Sequence, residues 1–144
     1  MNTTFNEVKD IFLSKITDYD ICKLAEEELD IELKLKLKSA MAKYAPSDIS
    51  FDEILNEFNR ELSNIEVEIL AVGLVSAWIT PMINHLNLLK QSFGSKDWNI
   101  TSQANQLKQL RELRLEINQE ANHWSTKNGI IEGNKKRKKV GYNT

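Results

Sequence analysis

Apolar residues recur along the chain at three- and four-residue steps over most of its length. This is the period of a helix with one buried face. Val8, Ile11, Phe12 and Ile16 make the first such face. Ahead of it Thr4 and Glu7 have the spacing of a capping box, in which a hydroxyl accepts from an orphan amide and a carboxylate reaches back to the cap amide. The pattern predicts a helix through about Ile16. The next segment, DICKLAEEELDIELKLKLKSAMAKY, carries two patterns at once. IELKLKLK alternates as a strand does, yet Leu29, Leu33, Leu37, Ala40, Met41 and Tyr44 also form a helical stripe, and Glu32 to Lys36 is a favourable i,i+4 pair. Length and the Glu, Lys and Leu content favour helix, with a strand over residues 31–38 as the alternative.

The chain then breaks at Pro46 in APSDIS, and Ser50 with Glu53 offers a second capping box for a short helix around FDEILNEF. Ser63 with Glu66 offers a third, opening the most apolar helix from about Ile65. Pro81 is expected to kink or divide that helix, because proline has no amide to donate and crowds the preceding turn. MINHLNLLK resumes the pattern up to the loop at Gly94. A last long helix is predicted from about Thr101 to Trp124, with Ala104, Leu107, Leu110, Ile117, Ala121 and Trp124 on one seam and Lys108, Arg111 and Arg114 on another face. Asn128 and Gly129 both tolerate a left-handed cap and mark its expected end.

Composition agrees with that pattern: 41% hydrophobic residues, five glycines and two prolines in 144 positions favour one compact domain with helices over sheet. The expectation is an all-α, single-domain bundle of four or five helices over residues 1–127, followed by an extended basic C-terminal arm over 128–144. Charge supports the division. The chain carries a formal −2, while NGIIEGNKKRKKVGYNT holds five basic residues and one acid, so +4 in the arm leaves −6 on the body. The single cysteine, Cys22, has no intramolecular partner for a disulfide, and MNTTFNEVKD lacks the basic and apolar regions of a secretory signal, which points to an intracellular, reducing setting. The longest mostly apolar run, ILAVGLVSAWI, reads as a buried helix too short to span a bilayer, so no membrane partner is expected.

Catalytic, metal and cofactor chemistry find little to work with. There is no glycine-rich phosphate loop and no set of cysteines for zinc, and Cys22 reads as a small buried hydrophobe. Glu120 and His123 make an E-x-x-H step of the kind that di-iron bundles use, but such sites need a second one, and the other histidine, His85, has Met82 where the acid belongs. Two isolated histidines do not assemble a nucleophile, a base and an orienting group. No enzymatic activity, metal or cofactor is expected. Trp78 reads as core. Trp98, in the loop with Phe93, either plugs the helix junction or anchors a partner. Lys108, Arg111 and Arg114 alternate with Glu112 and Glu116, as a solvated face or a phosphate-tracking surface would. KKRKK, Lys135 to Lys139, repels itself in isolation and calls for an acidic surface or nucleic acid to order it.

With WITPMI, then KDW, then SQANQLKQLRELR, the chain resembles a head-to-tail connector (neck or adaptor) protein of tailed bacteriophages infecting low-GC Gram-positive hosts. The resemblance runs from LAEEELDIELKLKLKSAMAKY through EVEILAVGLVSAWITPMINHLNLLKQSFGSKDWNITSQANQLKQLRELR. It implies a non-enzymatic virion subunit of the neck, assembled in the host cytoplasm into a ring, commonly of twelve copies, below the portal and around the DNA channel. Partners would be the portal protein, a further neck or tail-completion protein and, transiently, packaged DNA. On that reading Lys135, Lys136, Arg137, Lys138, Lys139 and Tyr142 bind the portal or a neighbouring ring. Phe93, Lys96, Asp97 and Trp98 form a contact loop between subunits or rings, and Lys108, Arg111 and Arg114 face the channel. The alternative expectation is a small nucleic-acid-associated or regulatory binding protein whose basic tail makes sequence-independent phosphate contacts.

Overall fold

The computed structural model describes residues 1–16, 25–92 and 102–139. Its elements are helix α1 (Phe5–Ser14), helix α2 (Glu26–Tyr44), strands β1 (Phe51–Asp52) and β2 (Glu57–Phe58), helix α3 (Asn64–Ser92) and helix α4 (Ser102–Lys139). The fold is predominantly helical, as the periodicity predicts, and residues 31–38 are helix rather than strand.

Seven consecutive residues of α3, Ile69 to Val75, are buried. Two full turns of helix present every side, so α3 must be covered all round. The cover comes from α1, α2 and α4, each of which packs against it. From α1 come Val8 and Phe12, with Phe12 edge-on to Trp78 at 5.9 Å between ring centroids. From α2 come Leu29, Leu33, Leu37 and Ala40, the expected helical stripe. Leu107, Ile117 and Ala121 supply the seam of α4. By length and composition α3 could cross a bilayer, and it is the described helix that meets that test. In this fold its apolar surface is the bundle core.

Gly73 lets α2 approach α3 closely. A Cβ at this position would lie 2.9 Å from the Ala40 Cβ and 3.0 Å from Tyr44 Cδ2. Pro81 does not divide α3, which runs on to Ser92, and beside it the Thr80 hydroxyl donates to the Ser76 carbonyl at 2.7 Å.

Two expectations are corrected. FDEILNEF is not a helix: Phe51 pairs with Phe58 and Asp52 with Glu57 in an antiparallel hairpin. The aromatic residues explain the choice, since the hairpin brings Phe51 within 5.0 Å of Phe58 and 5.9 Å of Phe5, centroid to centroid, and buries Phe58 fully. The N-terminus adds to it, with the Phe58 amide donating to the Thr3 carbonyl at 2.8 Å and Thr4 bridging Glu57. The Ser50–Glu53 box therefore does not form; the Ser50 amide donates to Asn59 Oδ1 instead. The other two reach-back contacts exist: the Thr4 amide donates to Glu7 Oε2 at 2.7 Å, and the Ser63 amide to Glu66 Oε1 at 2.9 Å.

The second correction concerns the end of α4. The helix does not stop at Asn128–Gly129 but continues to Lys139, so residues 128–139 are helical rather than extended. Asn128 is buried and Ile131 half-buried, which carries the Ala121–Trp124 seam one further turn and holds the helix across the glycine. Ion pairs and hydrogen bonds show that α3 and α4 run antiparallel: Arg111 reaches Asn87 near the 93–101 connection, and Lys15 joins Glu68 to Glu120 near the other end. At 38 residues against 29, α4 is longer than α3 by ~13 Å.

The glycines give a paired test. Gly73→Ala is expected to lower stability by about 1–3 kcal/mol through overpacking. At Gly129 and Gly133 a Cβ would meet nothing within 4 Å, so alanine there should stabilise the end of α4 by about 0.5–1 kcal/mol each. Thermal denaturation of the variants and amide exchange over residues 128–135 would measure both signs.

Candidate assembly interface

The hairpin turn is built to expose apolar groups. Asp52 Oδ1 accepts from the amides of Ile54 at 2.9 Å and Leu55 at 3.1 Å, and Asn56 closes the turn at φ 55°, the left-handed region that asparagine tolerates. The Asn56 carbonyl then accepts from the Phe5 amide at 2.9 Å, which ties the turn to the body. Ile54 and Leu55 stand at the tip, 90% and 64% exposed. Glu53 beside them pairs with Lys38 of α2 at 3.1 Å. On α2, Lys38 follows Ile31 and Leu35 along one outer stripe, and these are 62% and 58% exposed. The Lys38–Glu53 pair thus links the hairpin to the outer side of α2, with Ile31 and Leu35 on one side of it and Ile54 and Leu55 on the other.

This surface was not among the residues singled out from the sequence. Its signal was present in two places. Alternating leucines on a helix necessarily point to both sides, so IELKLKLK on α2 leaves Ile31 and Leu35 outside while Leu33 and Leu37 go in. Asp52 and Asn56 flank the tip as turn formers, masked by the capping-box spacing of Ser50 and Glu53.

The predicted site residues fall into three groups. Phe93, Lys96, Asp97, Trp98 and Tyr142 lie outside the described residues, as does Cys22. Lys135 is exposed on α4 and pairs with Glu132 at 3.4 Å, and the backbone helix carries on through Lys136, Arg137, Lys138 and Lys139. Lys108 and Arg111 are exposed and Arg114 is half-buried. Arg111 is engaged within the fold, donating to Asn87 Oδ1 and so fastening α4 to α3. The three are therefore not a uniform cationic display.

The charged groups nearest the core act as ties. Lys15, at the end of α1, lies 2.9 Å from Glu68 of α3 and 3.0 Å from Glu120 of α4, where the Trp124 indole also donates to Glu120 at 3.2 Å. The E-x-x-H step is split by this arrangement: Glu120 turns to Lys15, whereas His123 is exposed with its ring edge-on to Trp124 at 5.3 Å. Among the described residues no three metal-ligating side chains converge. At the other end, Arg60 grips the buried Glu66 through two nitrogens, at 2.9 and 2.6 Å, and Asp48 at 2.9 Å. Lys9, also buried, pairs with Asp30 at 2.7 Å and Glu26 at 3.5 Å.

Burial pushes the Glu66 carboxyl up, but the Arg60 guanidinium and the Ser63 hydrogen bonds outweigh it and hold the group below its ordinary value. Glu120 behaves alike: burial raises it, and Lys15 and Trp124 together lower it further. For Lys15 burial lowers the pKa, and the two glutamates more than compensate, leaving it raised. The depressed carboxyls contribute stability that is present above their unfolded value near 4.5 and is lost as pH falls through the lower folded values. Glu66→Gln and Glu120→Gln should each flatten the acid limb of a stability–pH curve followed by urea denaturation. Lys15→Met, which leaves two part-exposed carboxylates without their cation, should cost about 1–2 kcal/mol at neutral pH.

No protein-family model matches the chain, and neither a curated protein sequence nor a solved structure matches it.

Proposed function

We propose that this protein is a non-enzymatic structural subunit of a head-to-tail connector in a tailed bacteriophage, one copy of a ring below the portal and around the DNA channel. The subunit joins capsid to tail in the virion neck after assembly in the bacterial cytoplasm. The observation that carries the reading is the C-terminal part of α4. A run of five basic residues lies at the end of a helix that is longer than the helix it packs on. A connector needs such an element: a stiff projection from a compact body that can lie on a neighbouring ring. The exposed aliphatic side chains of α2 and of the hairpin tip support the same reading, because apolar groups left outside among charged ones are found on surfaces that bind other proteins. The portal and a further neck or tail-completion protein are the partners, with transient contact to packaged DNA.

The same cationic helix favours one second reading, a binding protein that docks on nucleic acid through phosphate contacts. The two differ in what the helix meets. Electron microscopy of the native assembly containing this chain is expected to resolve a closed ring stacked between two others, with residues 134–144 lying on a neighbour. A monomer or dimer held on nucleic acid would overturn the connector. In that case DNA affinity would fall steeply with salt, and deletion of residues 134–144 would abolish it.

A further inference from the structure

Helix α2 has an inner and an outer seam. Leu29, Leu33, Leu37 and Ala40 are buried where α2 packs on α3. On the outer side Glu28, Ile31, Leu35 and Lys38 follow one another at steps of three, four and three residues, and all four are exposed. This is the spacing of a seam that packs on a second helix. The stripe runs acid, aliphatic, aliphatic, base, so in reverse it is its own complement in charge and its own match in spacing. Its end charges are available for a further contact. Glu28 pairs with no cation among the described residues, whereas the acids around it are engaged, Glu26 and Asp30 by Lys9 and Glu32 by Lys36. Lys38 holds Glu53 at 3.1 Å in a pair exposed on both sides, and an ammonium has three donors to share. Lys34, beside the stripe, lies over the Phe5 ring at 5.4 Å.

We infer that the outer stripe of α2 is a two-fold interface between two copies of this chain, the two α2 helices lying antiparallel. With the axis level with Leu33, Ile31 meets Leu35 of the second copy and Leu35 meets its Ile31, which covers both exposed aliphatic side chains on each copy. Glu28 then comes opposite Lys38 of the second copy, and Lys38 opposite its Glu28. One such pair stands at each end of the contact, ten residues or ~15 Å apart along the axis. Parallel helices would set Glu28 against Glu28 and Lys38 against Lys38, so charge selects the antiparallel register. It also selects the occupant. A surface of uniform charge would attract one end of the stripe and repel the other, whereas a second copy in reverse satisfies both. The two antiparallel helix dipoles attract as well. The contact is isologous, with every pairing made twice, and it closes at two copies. It cannot by itself repeat around a ring, and it does not rest on the connector reading.

Charge exchange tests it on the full-length protein, with sedimentation velocity over a concentration series. The unmodified chain should pass from monomer to dimer. Glu28→Lys, which sets lysine against Lys38 at both ends, should weaken association at least ~10-fold, and Lys38→Glu should do the same by setting glutamate against Glu28. The two changes in one chain should restore the dimer. An equimolar mixture of the two single variants should also restore it, as a heterodimer, because each position then faces its opposite charge. Leu35→Asp, at an exposed position, should leave monomers, and circular dichroism checks that each variant folds. The inference falls if the unmodified protein stays monomeric to ~100 μM, which would leave the stripe to a different protein. It falls equally if association survives Leu35→Asp, or if the double variant or the mixture fails to recover what the single changes removed. A ring in the native assembly bears on the connector reading alone, and an exchange-restored dimer of the free chain bears on this contact alone.

Discussion

Enclosure of α3 is the constraint on which the remaining structure depends. A helix with seven consecutive buried residues exposes no face that water can cover without loss, and burial of each large side chain contributes about 1.5–3 kcal/mol. Three other helices are needed to surround it, and their amphipathic stripes are placed accordingly. The closest approach falls at Gly73, where α2 comes within a methyl group's reach through Ala40 and Tyr44. A single core helix with three covers is thus an answer to the composition of one segment.

Apolar packing alone would let the covering helices slide, and the part-buried ion pairs set their positions. Lys15 reaches carboxylates on two different helices, so α1, α3 and α4 share one junction. Arg60 fastens the segment after the hairpin to the first turn of α3, and Lys9 fastens α1 to the start of α2. Such pairs stabilise weakly for the desolvation they cost. Their value here is geometric, because each has its partners at one register only.

What the core does not use becomes surface with a consequence. The alternating leucines of α2 and the Asp52–Asn56 turn leave aliphatic side chains on the outside, joined by the Lys38–Glu53 pair. The end of α4 carries the basic run Lys135 to Lys139. Neither follows from the enclosure of α3.

Helix existence, the buried stripes and two of the three proposed capping contacts were legible in the sequence, because they depend on residues within four positions of one another. So was the concentration of basic charge near the C-terminus. Tertiary structure decided the rest. FDEILNEF carries a helix-capping spacing, yet Phe5 and the N-terminal backbone more than fifty residues away make the hairpin the better burial for Phe51 and Phe58. Asn128–Gly129 is a local stop signal, yet burial of Asn128 and Ile131 carries α4 across it. Glu120 and His123 share a helix face by spacing, and Lys15 from α1 takes the carboxylate away. In each case a contact remote in sequence outweighed a local preference worth about 1 kcal/mol, and no reading of neighbouring residues contains that contact.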